Sequence, residues 1–234
     1  MLDFSNSKIL IVGDVMLDKY YFGKVDRISP EAPVPIVNIQ KEESRLGGAS
    51  NVANNIVSLG GHSLLCGVIG HDLFGKEIER ISRHKNIDTF LLKTSSPTIT
   101  KARIIGGKQQ IVRVDYEDKS ELNADNKKLF RDTISRILPE YDILVISDYG
   151  KGLISEDLCR YLIKLAHKYD KKVIIDPKGK NWEKYSGADI VTPNVKELSD
   201  IVGYTVPNTD RAIEKAAREA ITNNHLTALL VTRS

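Results

Sequence analysis

The chain has 234 residues, of which 41% are hydrophobic and 28% are charged. Its 34 Lys and Arg residues nearly balance its 31 Asp and Glu residues, which leaves a formal net charge of +3. This length and apolar content suit one large or two small domains with a packed core and exclude disorder over most of the chain. No segment approaches the roughly 20 apolar residues of a membrane span. No basic stripe with interleaved aromatic residues indicates a nucleic-acid partner.

The two cysteines, Cys66 and Cys159, are too few for a disulfide framework. The N-terminus also lacks the basic, apolar and small-residue pattern of a signal peptide. We therefore expect a reduced, cytosolic protein.

Apolar strands alternate with amphipathic helices along most of the chain. The pattern predicts strands over 8–14, 63–69, 98–105, 109–115, 142–147, 172–176, 189–192 and 226–232. It predicts helices over 49–59, 73–84, 123–138, 155–169, 195–202 and 209–223. Such alternation favours parallel pairing with right-handed crossovers. We predict an α/β fold, a three-layer domain with a mostly parallel central sheet.

Two segments do not follow this alternation of strands and helices. Residues 19–40 contain Pro30, Pro33 and Pro35, which is typical of irregular or edge-strand structure. The strands over 98–105 and 109–115 are joined by Gly106-Gly107-Lys108, and glycine pairs favour tight hairpin turns. We expect segments 19–40 and 98–115 to form a small β-lid beside the main sheet.

Polar side chains follow several of the predicted parallel strands. They are Asp14, Asp148, Asp176 and Asn194. Because ligands of open α/β sheets bind beyond the carboxyl ends of the strands, this repetition predicts a polar-ligand site at one sheet edge. The alternative is that each is only a helix cap or turn residue, which Asp and Asn commonly are.

A glycine pair, Gly47-Gly48, precedes the helix that contains Asn51. Glycines there let a ligand approach the backbone, and the N–H groups of a helix start bind hydroxyls or anions. The Asn51 amide adds a donor and an acceptor suited to sugar hydroxyls. The alternative is a flexible loop with an ordinary helix cap.

Longer motifs make the chain resemble a known family. Gly47-Gly48-Ala49-x-Asn51-x-Ala53, followed at set spacing by Gly60 and Gly70, is similar to the first signature of the ribokinase (PfkB) carbohydrate kinases. Asn194-Val195-Lys196-Glu197 resembles the family's Asn-x-x-Glu motif. Three further segments resemble the heptose-7-phosphate kinase branch: 13–20, 29–35 and 147–152.

The resemblance implies a ribokinase-like kinase domain over 1–234. It implies transfer of the γ-phosphoryl group of ATP to the anomeric hydroxyl of D-glycero-D-manno-heptose 7-phosphate, in lipopolysaccharide core synthesis. The implied sugar-phosphate ligands are Asp14, Asp18, Gly47, Gly48, Asn51, Arg103, Arg113 and Asp148, with the two arginines facing the 7-phosphate. Asn194, Val195, Lys196 and Glu197 would serve ATP, and Glu197 would also serve Mg²⁺. A homodimer through the β-lid is implied as well.

One family feature is not found in this sequence. The second signature, Gly-Ala-Gly-Asp or a variant, supplies the anion hole and the catalytic aspartate, and no Gly-x-Gly-Asp occurs in the 234 residues. The resemblance therefore implies that the kinase domain is incomplete at its C-terminus. We assign no catalytic residue and expect impaired activity.

The sequence argues against three other classes of protein and leaves two alternatives open. A dehydrogenase and a Walker-type ATPase lack their glycine motifs, and the five scattered histidines do not indicate zinc. Two alternatives stay open: a non-catalytic module for sugar-phosphate binding or dimerisation, and a ribokinase-family kinase for another sugar.

Overall fold

The computed structural model describes residues 3–118 and 122–233. Eleven strands lie in these two ranges: β1 (Lys8–Gly13), β2 (Val15–Ile28), β3 (Pro35–Gly48), β4 (His62–Gly70), β5 (Asp88–Thr94), β6 (Thr100–Gly106), β7 (Gln109–Tyr116), β8 (Ile143–Ser147), β9 (Lys172–Asp176), β10 (Ile190–Val191) and β11 (Ala228–Leu229). Six α-helices accompany them: α1 (Ala49–Ser58), α2 (Leu73–His84), α3 (Ala124–Ile137), α4 (Glu156–Lys168), α5 (Val195–Val202) and α6 (Asp210–Asn224).

A seven-stranded sheet forms the middle layer, in the order β11-β10-β9-β8-β1-β4-β5. Each pairing described in it is parallel. On β1, Ile9 and Ile11 belong to a core with α1 and α2, whereas Leu10 and Val12 belong to a second core with the other four helices. Because successive side chains of a strand point to opposite faces, this division gives three layers. The predicted α/β architecture is confirmed.

The second sheet is the β-lid, defined here as β3-β2-β6-β7. Its two inner strands, β2 and β6, run parallel, and each outer strand pairs antiparallel with its neighbour. The lid is joined closely to the central sheet, since only Asp14 separates β1 from β2 and α1 begins directly after β3. This connection places the lid over the carboxyl end of β1.

The prediction for residues 19–40 was too short and too irregular. The segment belongs to a long hairpin of two 14-residue strands, β2 and β3. Pro30 and Pro33 lie in the connection between the strands, and Pro35 is the first residue of β3. Proline has no backbone N–H to donate to a neighbouring strand. Because all three prolines lie outside the strands or at the first residue of one, they interrupt no pairing inside the sheet.

Two details at the edges of the central sheet also differ from the prediction. Strand β5 was not predicted, because its half-buried segment lacks a β-branched run. The last strand was predicted over 226–232, but β11 covers only Ala228–Leu229. Its partner β10 is equally short because Pro193 follows it closely, although Thr232 N still donates to the Pro193 carbonyl at 2.8 Å.

Both cysteines are free and buried, and burial raises the pKa of each thiol. Across 3–118 and 122–233, no helix is both long enough and apolar enough to cross a membrane. The cytosolic location stays a prediction.

Candidate functional site

Four neighbouring strands of the central sheet end in polar residues. Asp14, Asp148, Asp176 and Asn194 follow or end β1, β8, β9 and β10, which are adjacent in the sheet. Backbone hydrogen bonds tie these ends together, because Asp14 N donates to Ser147 O at 3.1 Å and Asp148 N donates to Asp176 O at 3.0 Å. The predicted grouping at one sheet edge is confirmed.

Asp14 is a buried carboxylate with one unoccupied oxygen. Its Oδ2 accepts hydrogen bonds from the backbone N–H groups of Tyr149 at 2.8 Å and Lys151 at 3.1 Å. Its buried Oδ1 has no hydrogen-bond partner among the described residues. Burial raises the pKa of Asp14, and the negative charge of Asp148 adds to that effect. An unpaired buried acceptor is unfavourable, and the backbone N–H groups of the loop after β8, including that of Leu153, are the donors that favour the charged form of Asp14.

The glycine pair is needed for close packing at the start of α1. A Cβ on Gly47 would lie 2.5 Å from Asp18 Oδ2, and one on Gly48 would lie 2.4 Å from the Asp14 carbonyl oxygen. Gly48 also has a φ of +54°, in the left-handed region that favours glycine. The Asp14 carbonyl accepts the Ala49 N–H at 3.0 Å. Both glycines therefore hold Asp14 and Asp18 against the helix start.

A pocket of about 720 Å³ opens between the lid and the start of α1. It contains five of the residues predicted to bind the sugar phosphate: Asp18, Gly47, Gly48, Asn51 and Arg103. It also contains polar residues that sequence reasoning missed: Glu43, Arg45, Asn54, Lys85, Lys101 and Tyr149. Alternation along a strand could have found Lys101, which lies two residues before Arg103, whereas Arg45 is placed only by its register with Asp18 on β2.

The pocket has an excess of positive charge. Four cationic side chains line it, against only the two carboxylates of Asp18 and Glu43. Arg103 donates to Asp18 Oδ1 at 2.6 Å, and the guanidinium groups of Arg103 and Arg45 lie 5.1 and 4.8 Å from the Tyr20 ring centre. These contacts hold both guanidinium groups against one aromatic ring.

Lys101 is a half-buried cation of this pocket. Burial lowers its pKa, and the nearby charge of Lys151 lowers it further. No carboxylate of the described residues forms an ion pair with its ammonium group, which lies 5.9 Å from the Tyr149 ring centre. An ammonium group in this setting favours an anionic ligand.

Three residues predicted to bind sugar phosphate lie outside the pocket lining: Asp14, Arg113 and Asp148. Arg113 is opposite Arg103 on β7 but forms a two-point ion pair with Asp115, at 2.8 and 2.9 Å. Asp148 is buried, and its carboxylate accepts from Tyr185 at 2.6 Å and from Lys184. Roles for all three residues in binding stay predictions.

The Asn-x-x-Glu motif starts helix α5. Asn194 Oδ1 accepts the Glu197 N–H at 2.9 Å, and Glu197 Oε2 accepts the Asn194 N–H at 3.1 Å, which is a capping box. Between them, Val195 is packed against the core and Lys196 is exposed. The capping of helix α5 therefore gives Asn194 and Glu197 a structural role, apart from any role in binding ATP.

Asp176 completes a second polar group next to Glu197. Burial raises the pKa of Asp176 to about 6, and the charge of Glu197 contributes to the shift. Lys178 Nζ donates to Glu197 Oε1 at 3.3 Å. Within the described ranges, no group of three or more His, Cys, Asp or Glu side chains is placed so that it could hold a metal ion. Two repelling carboxylates nevertheless fit Mg²⁺, which is usually held by one or two carboxylates together with substrate phosphates.

Curated relatives match nearly the whole chain. "Bifunctional protein HldE" of Haemophilus influenzae (strain PittEE) is 44% identical over 233 residues, 99% of this chain and 48% of its own length. "D-beta-D-heptose 7-phosphate kinase" of Bordetella bronchiseptica is 44% identical over 231 residues, 98% of this chain and 72% of its own length. The chain thus spans about half the length of the bifunctional relatives it matches.

Solved structures share the fold. Phosphofructokinase-2 from Escherichia coli, in complex with fructose-6-phosphate, superposes with a TM-score of 0.74 at 20% identity, covering 98% of this chain and 74% of that one. A carbohydrate kinase from Agrobacterium tumefaciens gives 0.70 at 18% identity, covering 97% and 70%. The family model described as "pfkB family carbohydrate kinase" matches residues 6–234. The chain belongs to the pfkB family of carbohydrate kinases.

Proposed function

We propose that this chain is the kinase domain of an ATP-dependent heptose 7-phosphate kinase. The reaction is transfer of the γ-phosphoryl group to the anomeric hydroxyl of D-glycero-D-manno-heptose 7-phosphate, for lipopolysaccharide core synthesis in the cytoplasm. Family membership and the name of the Bordetella relative support this choice. The observation that carries it is the pocket of about 720 Å³ with its excess of two positive charges. A phosphate monoester brings about two negative charges at neutral pH.

The sugar end of the pocket lies next to the central sheet. There Asp18 and Asn51 line the cavity, whereas Asp14 does not line it and lies at the junction between β1 and the lid strand β2. Carboxylate and amide groups exchange hydrogen bonds with sugar hydroxyls. We assign these three residues to the sugar, with Gly47 and Gly48 forming part of the cavity wall.

The phosphate end lies on the lid. Arg45 lies on β3, and Lys101 and Arg103 lie on β6, on the other side of β2; all three line the pocket. Guanidinium groups bind phosphate at two points and an ammonium group adds a compact charge. We assign the 7-phosphate to these residues and keep Arg113 as an outer contributor.

The nucleotide end lies at the ends of β9 and β10. Asp176 and Glu197 would hold Mg²⁺, and Lys178 and Lys196 would face ATP phosphates. When bound, Mg²⁺ neutralises charge on the phosphoryl group in transfer. Asn194 keeps Glu197 in place through the capping box. We assign no general base to a described residue.

The first test is calorimetric titration of heptose 7-phosphate into wild type and Lys101→Met, followed by MgATP and an assay for the 1,7-bisphosphate. Loss of the ammonium contact should weaken heptose 7-phosphate binding about 10- to 100-fold. Binding of the dephosphorylated heptose should not change between the two proteins. Lys108→Met, in the exposed β6–β7 turn, removes the same charge outside the pocket and serves as control.

Failure of folded wild type to bind heptose 7-phosphate would contradict the substrate assignment. Because no Gly-x-Gly-Asp occurs in the sequence, we expect little bisphosphate, and binding of both heptose 7-phosphate and MgATP without turnover is consistent with the proposal. Binding of heptose 7-phosphate without binding of MgATP would instead favour a non-catalytic sugar-phosphate module. Tighter binding of another sugar phosphate would favour a different kinase of the same family.

We also propose that two copies pair through the lid. Supporting this, Val25, Ile28, Val34 and Ile39 are large apolar side chains of the lid hairpin that are 39% to 60% exposed. Exposed apolar clusters commonly mark protein interfaces.

A further inference from the structure

A buried tyrosine lies between the two polar groups of the candidate site. Tyr185 is fully buried, and its hydroxyl donates to Asp148 Oδ2 at 2.6 Å. The same hydroxyl accepts the backbone N–H of Lys178 at 3.0 Å. Lys184 pairs with the same carboxylate oxygen. A single phenol thus joins the loop after β8 to the loop after β9.

Each of these loops serves one end of the proposed active site. The loop after β8 carries Asp148, whose Oδ1 accepts the Gly150 N–H at 2.8 Å. The same loop supplies the N–H groups of Tyr149 and Lys151 that hold Asp14. It therefore fixes the carboxylate at the sugar end.

The loop after β9 serves the other end. Lys178 reaches Glu197 through its ammonium group while its own backbone N–H is held by Tyr185. Trp182, the one tryptophan of the sequence, donates from Nε1 to the Gly179 carbonyl at 3.3 Å and so anchors the same loop. Because the Lys178 side chain is exposed and does not pack in the core, the loop depends on the hydrogen bonds that Tyr185 and Trp182 make with its backbone.

We propose that Tyr185 is a positioning residue that fixes the spacing between the sugar end, at Asp14, and the nucleotide end, at Lys178 and Glu197. The inference rests on the proposed function. Phosphoryl transfer depends mainly on the relative placement of acceptor and donor, so a rigid link between the loops has a direct use. A phenol that only filled the core would need one hydrogen-bond partner, whereas this hydroxyl joins two loops.

Tyr185→Phe tests the link because it keeps the ring and removes only the hydroxyl. We expect about fivefold weaker MgATP binding, since the Lys178 backbone loses its partner. Heptose 7-phosphate binding should change less than about twofold, because Lys184 and Gly150 still hold Asp148. Tyr204→Phe is the matched control: Tyr204 is exposed, and its hydroxyl donates to Glu219 at 3.1 Å on the distant α6.

Fluorescence of Trp182 gives a readout that needs no ligand. Acrylamide should quench it about twice as efficiently in Tyr185→Phe as in wild type, because the loop beside Trp182 is released. Unchanged quenching, or an equal loss of affinity for both ligands, would overturn the proposal. If folded wild type binds neither ligand, the proposed function fails, and the quenching comparison alone decides whether Tyr185 positions the loop.

Discussion

At the residue scale, the site depends on one glycine with a left-handed backbone. Gly48 lies where β3 meets α1, and its φ of +54° lets the chain turn beneath the Asp14 carbonyl. Any side chain at this position meets both an unfavourable backbone region and a backbone atom that cannot move aside. The first family signature therefore has a packing reason that is independent of the ligand-binding role proposed for it.

Gly48→Ala should lower the free energy of unfolding by about 3 kcal/mol, because strain and the 2.4 Å approach to the Asp14 oxygen act together. Urea denaturation with a two-state fit measures the loss. Gly60→Ala is the matched control, since Gly60 has a φ of +92° but no atom within 4 Å of a Cβ. It should lose about 1 kcal/mol. Equal losses in the two variants would show that the contact is unimportant.

At the element scale, Asp72 links helix α2 to the strand that enters the lid. As the helix N-cap it accepts the Gly75 N–H at 2.8 Å, and it also accepts the Thr98 N–H and hydroxyl, both at 2.7 Å. Thr98 is fully buried, two residues before β6. One carboxylate thus fixes a helix start and the base of the lid.

Asp72→Ala should lower the free energy of unfolding by about 3 kcal/mol at neutral pH, because a cap is lost and the Thr98 N–H is left buried without a partner. Asn123→Ala is the control, because Asn123 caps α3 through a single bond to Asn126 N. Its loss should be about 1 kcal/mol. Denaturant titration measures the loss of unfolding free energy in both variants. The difference between the two losses gives the contribution of the hydrogen bonds from Thr98 to Asp72, apart from ordinary helix capping.

The Asp72 effect should also depend on pH. Burial acts to raise the pKa of Asp72, but hydrogen bonds from Thr98 and Gly75 outweigh it and hold the pKa below its usual value. The folded state then binds fewer protons than the unfolded state, so the stabilisation is present above the ordinary carboxyl pKa. It is lost as pH falls through the lower folded value. The difference between wild type and Asp72→Ala should therefore shrink in acid.

Much of the element order was predictable, and the exceptions share a cause. Helices α2 and α5 have the predicted bounds, because their apolar periodicity and caps are local signals. The long lid hairpin and β5 depend on partners distant in sequence, which no local pattern shows. The same holds in the pocket: Asp18 and Asn51 lie in motifs, whereas Arg45 is brought beside Asp18 only by the pairing of β3 with β2.

At the scale of the whole molecule, the proposed pairing of lids can be tested by a charge placed in the exposed apolar set. Ile28→Asp should shift sedimentation from dimer toward monomer, because Ile28 is 60% exposed on the lid and would be buried against a second copy. Leu73→Asp, at an α2 position that is 77% exposed, places the same charge outside the lid. This control should leave the sedimentation unchanged. A monomeric wild type, or an equal shift in both variants, would contradict pairing through the lid.

The direct junctions between the two sheets have a mechanical consequence. Asp14 is the single residue between β1 and β2, and no residue separates β3 from α1. The pocket spans these junctions, with Arg103 on the lid and Tyr149 after a strand of the central sheet. A sugar phosphate that contacts both sides would connect the lid to the central sheet, in addition to the covalent connections of the chain. A displacement of the lid would then reach Asp14, the buried carboxylate at the β1–β2 junction, through a bound ligand as well as through the chain.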